Sequence, residues 1–463
     1  MITFGTDGWR ARTGEDFNEQ NVESLASSVC QYLVEAGYVP SENRLVVGFD
    51  NRKDSDAFAS KVADIASSIG FHVLMPERDA PTPAIAFSVR HWKACGGIMI
   101  TASHNPPDWN GMKFIPSYAG PANEAITSRI QSLVSQEVQP KPDRNAKGEI
   151  TRIDPFPPYF EQVRAMLGAV ALSTSDIKVV YDPMHATGRG YIDRLLRSFG
   201  VDVITIHSDP DPNFGGIQPD PTEEHLSDLK HAVAQTGAQI GLATDGDADR
   251  ISAVGPDGQY ISPNMLFPLL AQRAQDRKRG GIVRTVATTS AIDALAAKLN
   301  VPVFEVPVGF KYIAPYLLEQ KAVIGGEESG GFGFSDHIPE KDGILSSLRI
   351  VELLAQKQDT IVGLLDRFRA EFGPFVAKRT QVALTEAARE KLGKAAKDLE
   401  SLAKRKVSKV VKTDGLKLYF EDGSWLLVRP SGTEPVARIY AEAPSKEQAD
   451  ELLEAGRSLF AGG

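Results

Sequence analysis

The sequence has 463 residues, 42% of them hydrophobic and 24% charged, with a formal net charge of −9 and a pI near 5.5. That length exceeds one ordinary core and predicts three or four domains, while the acidic balance argues against broad nucleic-acid binding, so an anionic ligand would need locally placed cations. No run approaches the roughly 18 apolar residues of a membrane span, the N-terminus lacks the features of a signal peptide, and only Cys30 and Cys95 occur, which argues for a reducing cytoplasm over a disulfide framework.

In chain order, Phe4-Gly5-Thr6-Asp7-Gly8-Trp9-Arg10 is glycine-rich and ends on arginine, which predicts a loop able to approach a ligand closely. Val22, Leu25, Val29, Leu33 and Ala36 recur at helical spacing. Leu45 to Phe49 is a buried-strand run leading into Asp50-Asn51-Arg52. A helix over 57–68, a strand over 72–75 and a helix over 83–93 then feed Gly96-Gly-Ile-Met-Ile-Thr-Ala-Ser103-His104-Asn-Pro106. A glycine pair opens this strand and Asn-Pro breaks it, so Ser103 falls just past a carboxyl end, where open α/β sheets place ligands. With His104 adjoining and Asn110-Gly111 and Lys113 following, Ser103 is a candidate nucleophile.

The β-α-β-α-β order then recurs. Pro140-Lys-Pro-Asp and Pro155-Phe-Pro-Pro mark a linker and a boundary near 150. A second round of strands (177–181, 201–206, 238–243) and helices (188–199, 223–234) ends in Thr244-Asp-Gly-Asp-Ala-Asp-Arg250. The third round has strands at 282–287, 303–306 and 322–324 and helices at 291–298 and 312–319, and ends in Gly325-Gly-Glu-Glu-Ser-Gly-Gly331. Helices over 346–356, 360–372 and 387–404 follow, then a hairpin over 417–428 around Asp422-Gly423, a strand over 438–442 and a helix from Lys446. The pattern predicts an α/β protein of three consecutive βαβαβ-type mixed-sheet domains (1–150, 151–256, 257–370) and a smaller C-terminal α+β domain (371–463).

Asp245, Asp247 and Asp249 place three hard oxygen donors at alternate positions of one loop, which suits Mg²⁺ with positions left open for substrate or phosphate oxygens. An EF-hand calcium loop would need glutamate at its twelfth position, and counting from Asp245 that position is Pro256. Arg429, Ser431 and Thr433 around Gly432 offer a guanidinium fork, two hydroxyls and backbone N–H groups, a fitting cradle for phosphate. Glu327 and Ser329 can grip vicinal sugar hydroxyls. Lys341 could act as an acid or base if burial lowers its pKa. His72, His91 and His207 lack metal-ligand spacing. Read singly, each loop could be a plain polar turn; together they form an inventory for moving a phosphoryl group on a sugar phosphate.

Thr101-Ala-Ser-His-Asn-Pro106, Asp245-Gly-Asp-Ala-Asp-Arg250, Gly326-Glu-Glu-Ser329 and Arg429-Pro-Ser-Gly-Thr433, with Gly5-Thr-Asp-Gly-Trp-Arg10, match the signatures of the α-D-phosphohexomutases in order, and the chain resembles that family over essentially its whole length. The resemblance implies four domains around a central cleft, each giving one loop. It implies that Ser103 carries a phosphoryl group and that one Mg²⁺ is held by Asp245, Asp247, Asp249 and an oxygen at Ser103. A hexose 1,6-bisphosphate would be the bound intermediate and the activator. Carried over by motif, Glu327 and Ser329, with Gly309 and Lys311, would bind the sugar. Arg429, Ser431, Gly432 and Thr433 would hold the non-reacting phosphate, and Arg10, His104, Lys113, Arg250 and Lys341 would line the reacting end. Glu328 and Gly331 replace the variable residue and the histidine frequent in mannose- and glucosamine-type members, and Pro307-Val-Gly-Phe-Lys311 likewise looks like phosphoglucomutases. The implied reaction is therefore glucose 1-phosphate to glucose 6-phosphate. A phosphomannomutase or dual-specificity enzyme is the alternative, ahead of a hexose 1,6-bisphosphate synthase or a non-catalytic binder. The implied partners are small hexose phosphates, with no nucleic acid and no membrane, for a cytoplasmic monomer or homodimer.

Overall fold

The computed structural model describes residues 2–5, 7–137, 147–383, 400–430 and 436–461. Four sheets succeed one another along the chain. The first runs, edge to edge, Trp9–Arg12, Trp109–Pro116, Gly96–Ile100, Arg44–Phe49, His72–Pro76 and Ile150–Ile153; its last four strands are parallel. The second pairs Lys178–Asp182 in parallel with Asp202–Thr205 and Ile240–Thr244, then adds Ile251–Val254 and Tyr260–Ile261 antiparallel. The third sets Val303–Val306, Gly281–Thr285 and Ala322–Gly326 in parallel and closes with the antiparallel strand Phe332–Phe334. The fourth is antiparallel, six strands from Val376–Ala383 to Ser401–Leu402, with the helix Lys446–Ala461 behind it. The expected three mixed-sheet α/β units and smaller α+β unit are thus present.

The first three units share one core, which takes in Phe87, Tyr159, Leu195, Phe267 and Leu345. At its centre the helix Gly343–Lys357 buries thirteen residues, Gly343 through Ala355. It lies between neighbouring units, and even its charged residues are buried: Glu352 pairs with Arg273 at 3.0 Å and Arg349 with Asp336 at 2.7 Å. The fourth sheet is two-faced. Leu416, Leu418, Leu426, Val428, Ile439 and Ala441 pack in one cluster with Ala449 and Leu452 of the last helix, whereas Trp425, Leu427 and Tyr440 pack on Val286 and Ala287 of the third unit.

Several expectations change on contact with the structure. Asn110-Gly111, to which the sequence assigns no element, lies inside the strand Trp109–Pro116 although Asn-Gly is a common turn dipeptide. Glycine is required there because a Cβ would stand 2.5 Å from the Thr101 carbonyl oxygen and 2.7 Å from that of Trp9. Trp9 and Arg10 are strand and not loop. The strand Ile150–Ile153 joins the first sheet, and Pro155-Phe-Pro-Pro is no linker but the start of the helix Phe156–Ala165, since proline fits a first helical turn. The second-round helix begins at Ser227, after a short 3₁₀ turn at Glu223–His225. Of the helix expected over 387–404, residues 387–399 lie outside the described residues, and Ser401–Leu402 is a strand. The helix Pro263–Arg277 carries no stripe for the eye to find, because ten of its residues are buried. The hairpin around Asp422-Gly423 forms as expected, with Tyr419 opposite Trp425 and Leu416 opposite Val428.

The third and fourth units are joined by charge as well as by apolar contact. Glu305 accepts hydrogen bonds from Arg284 at 2.6 Å, Lys417 at 3.1 Å and the Tyr419 hydroxyl at 2.7 Å. Burial pushes the Glu305 carboxyl upward, but Arg284 and Lys417 outweigh it and hold the group at about 2, against an ordinary 4.5. A carboxyl lowered on folding contributes stability that is complete above its unfolded pKa and lost as pH falls through the folded one. Glu305→Gln is therefore expected to weaken the protein at neutral pH and to flatten its acid sensitivity between about 4.5 and 2, read by tryptophan fluorescence.

Candidate active site

Ser103 lies at the carboxyl end of Gly96–Ile100, fully buried, with its backbone in the left-handed region at φ 53°. Thr101 Oγ1 accepts from the Ser103 N–H at 2.8 Å and stabilises the turn. The Ser103 hydroxyl donates to Asp245 Oδ2 at 2.9 Å and lies 3.3 Å from His104 Nδ1. Arg52, absent from the residues expected above, holds this loop. Its guanidinium donates to the carbonyls of Ser103 (2.6 Å), Asn105 (2.7 Å), Pro106 (2.6 Å) and Trp109 (3.2 Å), and its Nε to Asp50 at 3.1 Å. Both side chains of that ion pair are wholly buried. Burial lowers the Arg52 pKa and raises that of Asp50, and each opposes the shift of the other.

Opposite the serine, the loop after Ile240–Thr244 presents Asp245, Asp247 and Asp249, all fully buried, with carboxylate oxygens within 4.8 Å of one another. Asp245 Oδ1 accepts the backbone N–H groups of Asp249 and Arg250, both at 3.0 Å, which folds the loop on itself. Asp247 Oδ2 accepts from Lys113 at 2.8 Å and from Thr82 at 2.6 Å. Asp247 Oδ1 and Asp249 Oδ1 are buried without a hydrogen-bond partner. Buried carboxylate oxygens are costly to leave unpaired. Two such orphans in a triad of hard donors fit a divalent cation, and Asp245, Asp247 and Asp249 are the residues that could hold one.

Burial and its two aspartate neighbours push the Asp245 carboxyl well above the usual range. Burial also works on Asp247, but Lys113 prevails and holds it low. Four cations meet at this end of the cleft. Arg10 donates to Asp7 at 2.9 Å and to Asn105 at 2.9 Å. Lys113 lies 3.4 Å from Asp7 and 3.2 Å from Asp249, Lys341 lies 3.4 Å and 3.3 Å from the same two, and Arg250 Nε is 3.8 Å from Asp249. Asp7, also absent from the expected set, thus bridges three of them, and burial notwithstanding its carboxyl is held far below normal.

The lowered pKa expected for Lys341 is not found. Burial does press it downward, but Asp249, Asp7, Glu340 and Glu327 outweigh burial and raise it well above normal. Lys341 is a fixed ammonium. His104 goes the other way: burial, then Arg250, Arg10 and Lys113, keep its ring neutral. Burial raises Glu327 to about 7.

The remaining expected residues fall nearby but not all on the same spot. Glu327 Oε1 accepts from the Gly309 N–H at 3.0 Å, which joins two third-unit loops. Ser329, Glu328 and Arg250 line a cavity of about 590 Å³ whose far wall is Trp425, Tyr440 and Arg379 of the fourth sheet. Arg379 had no motif to announce it. Lys311 is buried with its ammonium 4.9 Å from the Tyr312 ring. Arg429 donates to Asp414 at 2.6 Å, and Asp414 also accepts the Val308 N–H at 3.0 Å, so it is Asp414 that ties the fourth unit to the third. Ser431, Gly432 and Thr433 lie outside the described residues. Among the described residues, no helix is long and apolar enough to cross a membrane.

Four family descriptions match in chain order. They are phosphoglucomutase/phosphomannomutase alpha/beta/alpha domain I over residues 1–141, domain II over 157–258, domain III over 262–372 and the C-terminal domain over 380–457. A phosphoglucomutase/phosphomannomutase of Thermococcus kodakarensis is 33% identical, over 99% of this chain and 98% of its own. A phosphoglucosamine mutase of Chlamydia trachomatis is 30% identical, over 97% and 94%. The crystal structure of a Thermus thermophilus protein assigned as a phosphomannomutase superposes with a TM-score of 0.88 at 33% identity, covering 100% of this chain and 99% of that one.

Proposed function

The chain belongs to the phosphoglucomutase/phosphomannomutase family of α-D-phosphohexomutases, and from that premise we propose that it interconverts glucose 1-phosphate and glucose 6-phosphate through a phosphorylated Ser103 and a bound glucose 1,6-bisphosphate. The observation that carries this reading is the 2.9 Å bond from the Ser103 hydroxyl to an aspartate triad with two unpartnered buried oxygens. A nucleophile and a place for a cation meet at one point, ringed by fixed positive charge.

Asp245, Asp247 and Asp249 would hold Mg²⁺, which when bound supplies charge neutralisation for a transferring phosphoryl group. The chain's own residues do the rest. Phosphoryl transfer needs positioning and charge stabilisation more than covalent assistance, and Arg10, Lys113, Arg250 and Lys341 are charges already in place before substrate arrives. As the bond between Ser103 Oγ and phosphorus breaks, one forms to a sugar hydroxyl, and the proton that hydroxyl gives up balances the one the departing serine oxygen takes, with His104 beside it as the carrier. In the return step the neutral His104 ring, 3.3 Å from Oγ, can hold the proton that the serine releases. Glu327 and Ser329 bind sugar hydroxyls, with Gly309 and Lys311 beside them. Arg429 and the loop that follows it hold the phosphate that is not reacting, and the bisphosphate must turn over between two half-reactions. Each of the four loops comes from one unit, divided near 150, 256 and 370.

Glucose is favoured by Glu328 and Gly331. A second reading, glucosamine phosphate, has one observation behind it: the cleft cavity is lined by four carboxylates, Asp220, Glu223, Glu224 and Glu328, against three cations, Arg250, Lys378 and Arg379, and those carboxylates could receive an ammonium group. Parallel kcat/KM values for glucose, mannose and glucosamine 1-phosphates, with Mg²⁺ and a bisphosphate activator, decide between them. A preference for glucose above about tenfold, ~1.4 kcal/mol of transition-state discrimination, is expected; near-equal values for mannose make the enzyme dual-specific, and a preference for glucosamine overturns the assignment. A metal test is independent of the sugar. Because Asp247 has one orphaned oxygen to offer, Asp247→Asn is expected to raise the Mg²⁺ concentration for half-maximal rate at least ~10-fold. An unchanged metal dependence would remove Asp247 from the ligand set.

A further inference from the structure

A second cavity, also of about 590 Å³, shares no lining residue with the cleft cavity and contains none of the aspartate triad. It lies at the seam of the first two units, where Pro212 of the second meets Asn51, Arg52 and Lys53 of the first. Two acceptors at it are orphaned. Asp79 is 8% exposed and pairs through Oδ1 with Arg189 at 2.5 Å, leaving Oδ2 buried without a partner. Asn51 donates to the carbonyls of His185 at 2.9 Å and Asp211 at 3.0 Å, and its Oδ1 is likewise buried and unpartnered. Both ask for hydroxyl donors. At the mouth are three cations, Lys53, Arg78 and Arg152, with no ion-pair partner among the described residues, beside two exposed acceptors, Asp56 and Glu77. Cations for an anionic group and acceptors for hydroxyls make a mixed lining suited to a phosphorylated polyol.

Arg52 connects this cavity to the reaction centre. Arg52 belongs to its wall, and the buried guanidinium behind that wall donates to the Ser103 carbonyl at 2.6 Å, its five N–H bonds all spent on Asp50 and the serine loop. The loop that carries Pro212 reaches the same place from the other side. Its Phe214 ring lies 5.0 Å from the Arg52 guanidinium, and Gln218 donates to the His104 carbonyl at 2.7 Å. We propose that this seam cavity is a second binding site, for a hexose phosphate or a similar phosphorylated polyol, and that its occupancy acts on the Ser103 loop through Arg52. The binding claim stands on the cavity alone; its effect on catalysis rests on reading Ser103 as the phosphoryl carrier.

Full-length Ser103→Ala protein, which has no phosphoryl acceptor, allows binding to be measured without turnover. Calorimetric titration with glucose 6-phosphate is expected to resolve two events per chain. Adding Lys53→Ala and Arg78→Ala is expected to weaken one of them at least ~10-fold and leave the other unchanged. A single event that survives the added substitutions, or two events that both survive them, overturns the second site. Loss of the cleft event alone, with the Lys53- and Arg78-dependent event intact, strikes the mutase reading instead, so the two failures are distinguishable. Inorganic phosphate is the control for the polyol: binding at the seam as tight as that of glucose 6-phosphate overturns the part played by Asn51 and Asp79. Hydrogen exchange on the same pair of proteins tests the coupling. Amides 101–109 are expected to slow further as the second event saturates in Ser103→Ala and not in the triple variant; equal protection in both removes Arg52 as the link. In a Ser103 background, Lys53→Ala/Arg78→Ala is expected to keep kcat/KM at low substrate within about twofold.

Discussion

Replacing Ser103 by alanine is expected to lower kcat by about 10⁴-fold or more, at least ~5.4 kcal/mol of barrier, with the fold retained. The size follows from the proposed role: without Oγ there would be no group to carry phosphorus between the two half-reactions, and no neighbouring side chain substitutes. His104 is neutral but cannot take the place of Oγ in the Asp245 bond, and Lys113 and Lys341 are ammonium groups whose protons the surrounding carboxylates hold in place. Stability should change little. Alanine tolerates the left-handed backbone about as poorly as serine, and the loss of one hydrogen bond costs ~1 to 2 kcal/mol. Two measurements check this together: kcat with saturating sugar phosphate, and mass spectrometry after exposure to glucose 1,6-bisphosphate. Phosphate appearing at full occupancy on the alanine protein, or a rate within tenfold of wild type, would sink the mechanism.

The second large effect is expected at Arg52, through stability as well as activity. Arg52→Met removes the guanidinium from four carbonyls and leaves Asp50 as a buried charge without its partner. Breaking a fully buried pair in this one-sided way costs ~3 to 5 kcal/mol. Asp50→Asn combined with Arg52→Met should recover part of that loss while leaving activity low, because the serine loop still lacks its clamp. Arg52→Lys keeps the charge but replaces a planar fork of five donors with a point charge of three. Its expected signature is a reduced kcat at nearly unchanged KM. Denaturant unfolding midpoints read the first effect and steady-state kinetics the second. If the double variant were as active as wild type, Arg52 would have no part in positioning Ser103.

What could be read from the sequence has a physical pattern. Ser103, the three aspartates and the Glu327 loop each follow a strand at its carboxyl end and carry their chemistry within a few consecutive residues. Local spacing therefore suffices for them. Asp7, Arg52 and Thr82 act through partners far away in sequence. Thr82 meets Asp247 across 165 positions, and Arg52 meets Ser103 across 51. No periodicity encodes such meetings. One signal was available and unused: Asp50-Asn51-Arg52 also stands at the carboxyl end of a parallel strand, Arg44–Phe49, so the rule that picked out Ser103 applied equally to it. The state of Lys341 was beyond reach for a different reason. Burial lowers a lysine pKa and carboxylates raise it, and only the fold tells which of them surround it. In the fold itself, amphipathic helices and the Asp-Gly hairpin were legible. The strand holding Asn110-Gly111 and the helix Pro263–Arg277 were not, since one carries a turn dipeptide for steric reasons and the other buries ten of its fifteen residues, leaving only a narrow exposed edge.

The complete burial of Ser103 has a consequence for how this enzyme is switched on. A protein kinase must draw a serine into its own cleft on an extended segment, and a protein phosphatase must reach it from outside; here the backbone of the serine and of the residues that follow it is bound to Arg52 inside the molecule. On the mechanism proposed above, only a donor small enough to enter the cleft would charge this residue. Each molecule's readiness would then be inherited from its last turnover: on the proposed mechanism, one that lost its bisphosphate to solvent before returning a phosphoryl group would fall silent until another such molecule diffused in. The concentration of that metabolite, and not a signalling enzyme, would set what fraction of the population is awake.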